Sequence, residues 1–154
     1  MNANRGAFLV LGASGAVGSE LCRLLSEGGH RVVAAGRDAD RLEAAVGSLD
    51  IARVTCEATD GESVKNALQS AADSAPEGLR GVANCVGSLI LKPAHATSEE
   101  DWSYTLRVNL DSAFHVVRHG AAMMKKGGSI VLVSSAAAST GLPNHEAIAA
   151  AKAG

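Results

Sequence analysis

The sequence predicts an α/β domain in which helices cover both faces of a doubly wound parallel sheet. Three observations predict it. Short apolar runs alternate along the chain with longer amphipathic stretches. The first run, AFLVL, has no polar alternation, as a strand covered on both faces requires. Glycine and proline punctuate the joins, at Gly28-Gly29, Pro76 and Gly78. Right-handed crossovers between successive parallel strands then wind the sheet in both directions.

The elements follow in order. Ala7 to Leu11 is the first strand, and Gly15 to Glu27 is a helix stopped by Gly28-Gly29. RVVAA, residues 31 to 35, is the second strand and Asp38 to Ser48 the second helix. ARVTCE, residues 52 to 57, is the third strand. Asp60 caps a helix reaching about Ser74. GVANCV, residues 81 to 86, is the fourth strand. One long helix is expected from about Ser98 to Lys125, with Glu99, Glu100 and Asp101 suiting its positive N-terminal end. On it Trp102, Leu106, Asn109, Ala113, Val116 and Gly120 share a face, and the polar Asn109 inside that stripe needs a hydrogen-bonding partner. GGSIVLVSS contains the fifth strand, and NHEAIAAAKAG opens an Ala-rich last helix with Asn144 as its N-cap.

Composition narrows the function. A chain of 154 residues supports one domain over residues 1–154 and buries most of its apolar surface. The net charge is −2 and no Lys/Arg run forms a stripe, so no nucleic acid partner is expected. Cys22, Cys56 and Cys85 lie far apart without a CxxC pair, so they read as reduced thiols and not as metal ligands. No apolar run reaches the length of a signal peptide or a membrane span, and a cytoplasmic location is expected.

Ligands of such sheets bind beyond the carboxyl ends of the strands, where the unusual residues of this chain fall. LGASGAVGSEL leaves the first strand and opens the first helix. Its glycines permit a tight turn and close approach of a diphosphate, and the helix N-terminus offers free N–H groups. Contacts are expected from Gly12, Ser14, Gly15, Ala16, Val17 and Gly18. The second strand ends in AAGRD, where Gly36 leaves room and Arg37 offers a guanidinium for a 2′-phosphate. NADP is therefore favoured over NAD, although Asp38 is within reach of a ribose. The fold is read as a Rossmann-like dinucleotide-binding sheet with five strands present.

With these pieces placed, the chain resembles the short-chain dehydrogenase/reductase family. The match runs along the whole chain on four segments: LGASGAVG, VANCVG with Asn84 and Gly87, RVNLDSAF with Asn109, and GGSIVLVSSAAAS. The glycine loop departs from the family's usual form: that form begins with Thr and has Gly where Ala16 stands. The resemblance implies hydride transfer between a nicotinamide and a small carbonyl or alcohol substrate. It assigns the carbonyl-polarising hydroxyl to Ser135 and the ribose-holding cation to Lys152. Asn109 becomes either the relay that anchors Lys152 or a helix-kink stabiliser. It adds Asn84, Gly87 and Lys152 to the cofactor contacts. It also implies a homo-oligomer in the full-length form and further C-terminal strands missing here, leaving the fifth strand's apolar edge uncovered.

The family's YxxxK reads Ile148-Ala149-Ala150-Ala151-Lys152 here, and isoleucine has no proton to give. His145 is the expected substitute acid, with Glu146 as a second candidate. Val86 and Leu89 to Leu91 are expected to give the substrate region an apolar lining. The alternative is a catalytically inactive NADP-binding protein of the same fold.

Overall fold

The structure is a computed structural model that describes residues 6–154. Five parallel strands run in the order β3-β2-β1-β4-β5. They are β1 (Ala7–Leu11), β2 (Arg31–Gly36), β3 (Ala52–Thr55), β4 (Leu79–Asn84) and β5 (Ser129–Leu132). The helices are α1 (Ala16–Glu27), α2 (Ala39–Val46), α3 (Gly61–Asp73), α4 (Glu99–Leu106), α5 (Ser112–Met123) and α6 (Glu146–Ala153). The reversal of strand order falls at β1, with β2 on one side and β4 on the other. That is where a crevice opens above the carboxyl ends of such a sheet.

Strand periodicity explains the two cores. Leu9 and Leu11 of β1, with Val33 and Ala35 of β2, face α3 and α5 and pack with Val64, Leu68 and Val116. Val10, Val32 and Ala34 face the other way, against Cys22 of α1 and Leu42 and Val46 of α2. The central strands thus have no wet face, as their unbroken apolar run requires. Side chains start three of the helices. Asp38 accepts from the Arg41 amide at 3.0 Å, Asp60 from Glu62 at 2.9 Å, and Ser98 from Asp101 at 3.1 Å. α1 starts at Gly15 with no side-chain cap.

The structure changes several expected boundaries. The third strand stops at Thr55, and the fourth runs from Leu79 to Asn84 instead of from Gly81 to Val86. The last helix begins at Glu146, with His145 and not Asn144 at the N-cap. Asn144 instead has a left-handed backbone, φ 63°, which asparagine tolerates better than most residues. The long helix is interrupted by a π turn over Arg107–Asp111. Trp102 consequently lies outside the buried face, at 41% exposure, whereas Thr105, Val108, Asn109, Ser112, Val116 and Gly120 lie within it. Three side chains bond the carbonyl four residues back in this stretch: Thr105 to Asp101 at 2.8 Å, Asn109 to Thr105 at 3.0 Å and Ser112 to Val108 at 2.7 Å. Such back-bonding competes with the helical ladder and bends it.

Sheet order makes β5 an edge: it pairs with β4, and Val131 and Leu132 are 56% and 45% exposed. This is the uncovered apolar edge expected from its sequence.

Leu68 is wholly buried between α3 and the sheet. Leu68→Ala is expected to lower the unfolding free energy by about 2–5 kcal/mol, whereas Leu24→Ala, at a half-exposed position, stays within about 0.5 kcal/mol. Urea midpoints of the two variants check the pair.

Candidate functional site

The turn after β1 needs glycine at two positions. Gly12 has φ +74°, and a Cβ there would lie 2.8 Å from the backbone of Cys85 and Val86. The loop after β1 and the end of β4 therefore meet backbone to backbone. Gly18 brings α1 down onto the same turn, since a Cβ would lie 2.8 Å from the Ala13 Cα. α1 thus begins on an uncapped glycine directly above the turn. The N–H groups of Ala16, Val17 and Gly18, in its first turn, have no acceptor within the helix. This arrangement fits a diphosphate: an anion completes the helix end that no side chain caps.

A cleft of about 210 Å³ opens from this turn. Gly12, Ser14 and Gly15 line one part, and Gly36, Arg37 and Arg41 another. The ends of β3 and β4 contribute Cys56 to Thr59 and Cys85 to Gly87, and Tyr104 and Val108 complete the lining. Sequence reasoning found Arg37 but missed Arg41. The signal was present in RDADR: with Asp38 as N-cap, the first turn of α2 brings the second arginine back to the strand end. Among the described residues neither guanidinium pairs with a carboxylate. The nearby Asp38 is engaged as the α2 cap and does not line the cleft.

Asn84, Ala16, Val17, Gly18 and Lys152 do not line this cleft. Asn84 stands behind it, buried, with its amide donating to Ser112 Oγ at 3.1 Å and its carbonyl accepting from the Val86 amide at 3.2 Å. Its role is to turn Cys85-Val86-Gly87 into the cleft and tie them to the π turn.

Asn109 does similar work one step further along. Its carbonyl oxygen accepts from the Ser88 amide at 3.2 Å, and its NH2 donates to Ser88 O, Ser88 Oγ and Thr105 O at 3.2, 3.0 and 3.0 Å. These are the direct partners of the amide, and they anchor the loop after β4 to the long helix. The far end of that loop is held at Lys92, whose amide donates to Asn144 O at 3.0 Å and whose ammonium pairs with Asp101 at 2.6 Å. Leu89 and Leu91, more than half exposed, are carried between the two anchors.

The remaining expected residues gather at the end of β5. Lys152 Nζ donates to Val133 O at 2.7 Å, and Ser134 Oγ donates to Lys152 O at 3.1 Å. These bonds hold Lys152 at the end of β5, and Ser135, the residue after Ser134, has a hydroxyl that accepts from the Ala137 amide at 3.2 Å. Ile148 is 5% exposed and is one of the buried residues of α6, which packs against the turn at Ala136–Ala138, α4 and the π turn. His145 Nδ1 lies 2.8 Å from Pro143 O, so Nδ1–H donates there and Nε2 is left for another partner. Glu146 is exposed in the first turn of α6, a position that suits a carboxylate. Burial pushes the Cys22 thiol up to about 12 and raises Cys56 and Cys85 as well, so these thiols are poor nucleophiles.

Two predictions follow from this geometry. Gly12→Ala forces a methyl group into the β4 backbone at a left-handed position, and is expected to cost at least about 1–3 kcal/mol in a denaturant titration. Burial also pulls the Lys152 ammonium below the ordinary lysine value of 10.5. The folded chain therefore binds fewer protons than the unfolded one between that lowered value and 10.5. Stability rises with pH across the window, and below it the full cost of burying the charge is present. The parent's stability relative to Lys152→Met is expected to climb as pH is raised through the window; parallel pH curves would contradict it.

The comparisons with known proteins agree with this architecture. The family model described as short chain dehydrogenase matches residues 7–154. Galactitol 2-dehydrogenase (L-tagatose-forming) of Cereibacter sphaeroides is 32% identical over 82% of this chain and 51% of its own length. D-threitol dehydrogenase of Mycolicibacterium smegmatis is 31% identical over 95% of this chain and 58% of its own. A short chain dehydrogenase of Mycobacterium smegmatis superposes with a TM-score of 0.91 at 26% identity, over 97% of this chain and 66% of its own. The chain spans about half the length of the curated relatives it matches. On its strand order, its glycine turn and these matches, the chain belongs to the short-chain dehydrogenase family.

Proposed function

We propose that the chain serves an NADP-dependent oxidoreductase reaction, with hydride transfer between the nicotinamide and the carbonyl or alcohol carbon of a small molecule. The observation that carries the NADP assignment is the pair of guanidiniums, Arg37 and Arg41, lining the cleft at the end of β2 without carboxylate partners. A 2′-phosphate supplies the missing anion, and charge-assisted pairs with arginine are the stronger kind of hydrogen bond. A ribose 2′-OH would call for an acidic side chain there, and Asp38 is occupied as a helix cap. The bound nicotinamide supplies or accepts the hydride. The chain's own groups hold the diphosphate at the glycine turn and orient the reacting oxygen. Ser135 is the hydroxyl for that oxygen, and Lys152, fixed to Val133 O, is the cation beside it. Polyol names among the relatives, galactitol and D-threitol, support an alcohol/carbonyl pair as substrate class.

The proton donor is assigned to His145. Its Nδ1 bond to Pro143 O orients the ring, and it stands one turn before the buried Ile148. A second reading, nucleotide binding without turnover, is favoured by that same burial: the position where the family carries its acid is here a buried apolar side chain.

Thermal melts separate the cofactors. NADPH is expected to raise the melting temperature more than NADH does, and equal shifts would sink the assignment. Arg37→Ala and Arg41→Ala are each expected to weaken NADPH roughly tenfold, about 1.4 kcal/mol, with NADH little changed. Carbonyl-dependent NADPH oxidation distinguishes the two readings. His145→Ala is expected to lower its rate by about 10²–10⁴; an unchanged rate and pH profile would remove His145 from the mechanism.

A further inference from the structure

Tyr104 is the chain's single tyrosine and, among the described residues, the one aromatic side chain that lines the cleft. A tyrosine recruited only for packing buries its ring and finds a partner for its hydroxyl. Tyr104 does neither: it is partly exposed, and among the described residues its phenol oxygen has no hydrogen-bond partner. The other parts of the cleft are spoken for by their chemistry. The glycine turn and the start of α1 suit the diphosphate, and Arg37 and Arg41 suit the phosphorylated ribose. The lining beyond them comprises Cys56 to Thr59 after β3, with Val108 and Tyr104 from the helical side. This part has no cation, and its one carboxylate, Glu57, accepts from the Thr59 amide and hydroxyl at 3.1 and 2.9 Å; what it offers besides is methyl groups and one aromatic ring, which suit a flat heteroaromatic base.

We propose that Tyr104 is a nucleotide-contacting residue whose ring packs against the adenine of the bound dinucleotide. The inference rests on the nucleotide-binding reading above and adds to it the base-contacting residue. Tyr104 sits five residues before Asn109, and the back-bonds of Thr105 and Asn109 follow it directly. The bend in this helix therefore sets where the ring stands over the cleft.

The test uses the whole chain and two halves of the cofactor. Adenosine 2′,5′-bisphosphate carries the base and the 2′-phosphate but no nicotinamide; nicotinamide mononucleotide carries the reverse. With one tyrosine, isotope labelling of tyrosine alone makes the labelled ring signals those of Tyr104. The bisphosphate is expected to shift them, and the mononucleotide to leave them in place. Tyr104→Phe keeps the ring and is expected to retain the bisphosphate affinity within about twofold. Tyr104→Ala is expected to weaken it about fivefold or more, in line with base–aromatic stacking. If the parent binds the bisphosphate, unmoved ring signals overturn the Tyr104 assignment alone, even should Tyr104→Ala fail to fold. Unchanged affinity in a folded Tyr104→Ala does the same. If the parent binds neither NADPH nor the bisphosphate, the nucleotide-binding reading falls, and this inference falls with it.

Discussion

A buried amide must find partners for both its carbonyl and its NH2, and in this chain that requirement falls on Asn109. Its oxygen holds the Ser88 amide, and its NH2 holds Ser88 and the Thr105 carbonyl. Satisfying one side chain thus draws the loop after β4 onto the long helix and opens that helix into a π turn. The neighbouring Asn84–Ser112–Val108 chain of bonds ties the end of β4 to the same turn. π turns are often found at functional sites. Here the turn is the join between the nucleotide cleft on one side and α6, with Lys152, on the other.

The cleft owes its shape to what is absent at Gly12 and Gly18. Neither position has room for a Cβ, so β1, β4 and α1 converge on backbone alone. The convergence leaves an uncapped helix start where an anion is favoured. Two guanidiniums, Arg37 and Arg41, stand at the end of β2, while the Asp38 carboxylate caps α2. One helix end and two guanidiniums thus bring positive charge to a cleft whose lining holds a single carboxylate, Glu57, in a chain whose net charge is −2.

α6 combines two roles that compete for the same short helix. Ala147, Ile148 and Ala151 are buried in a helix that packs on the turn at Ala136–Ala138, on α4 and on the π turn, and full burial of an isoleucine is worth about 1.5–3 kcal/mol. Lys152 is turned to the end of β5 by its bond to Val133 O. The isoleucine gives packing at the position where the family carries its tyrosine. His145 and Glu146 are both at the start of this helix, and the His145 ring is held by the Pro143 carbonyl.

Much of this was legible in the order of residues, because strand periodicity, glycine turns and helix caps are local effects. The five strands, their parallel arrangement, the caps at Asp60 and Ser98, and the glycine turn follow from residues close together in the chain. Arg37 followed from its place at a strand end. Arg41 was legible only once Asp38 was taken as the N-cap that brings the next turn back to the cleft. The partners of Asn109, the interruption of the long helix and the left-handed Asn144 were not legible. Each depends on a segment roughly twenty or more residues away, or on competition between a side chain and the helical ladder. The same holds for Ile148: its sequence position marks the lack of an acid, and only the packing of α6 shows that the side chain serves the core. By itself, then, the sequence determined the sheet, the glycine turn after β1 and the absence of the tyrosine. The tertiary structure decided which polar groups satisfy one another and which are left facing the cleft, because that depends on burial and on contacts between elements distant in the chain.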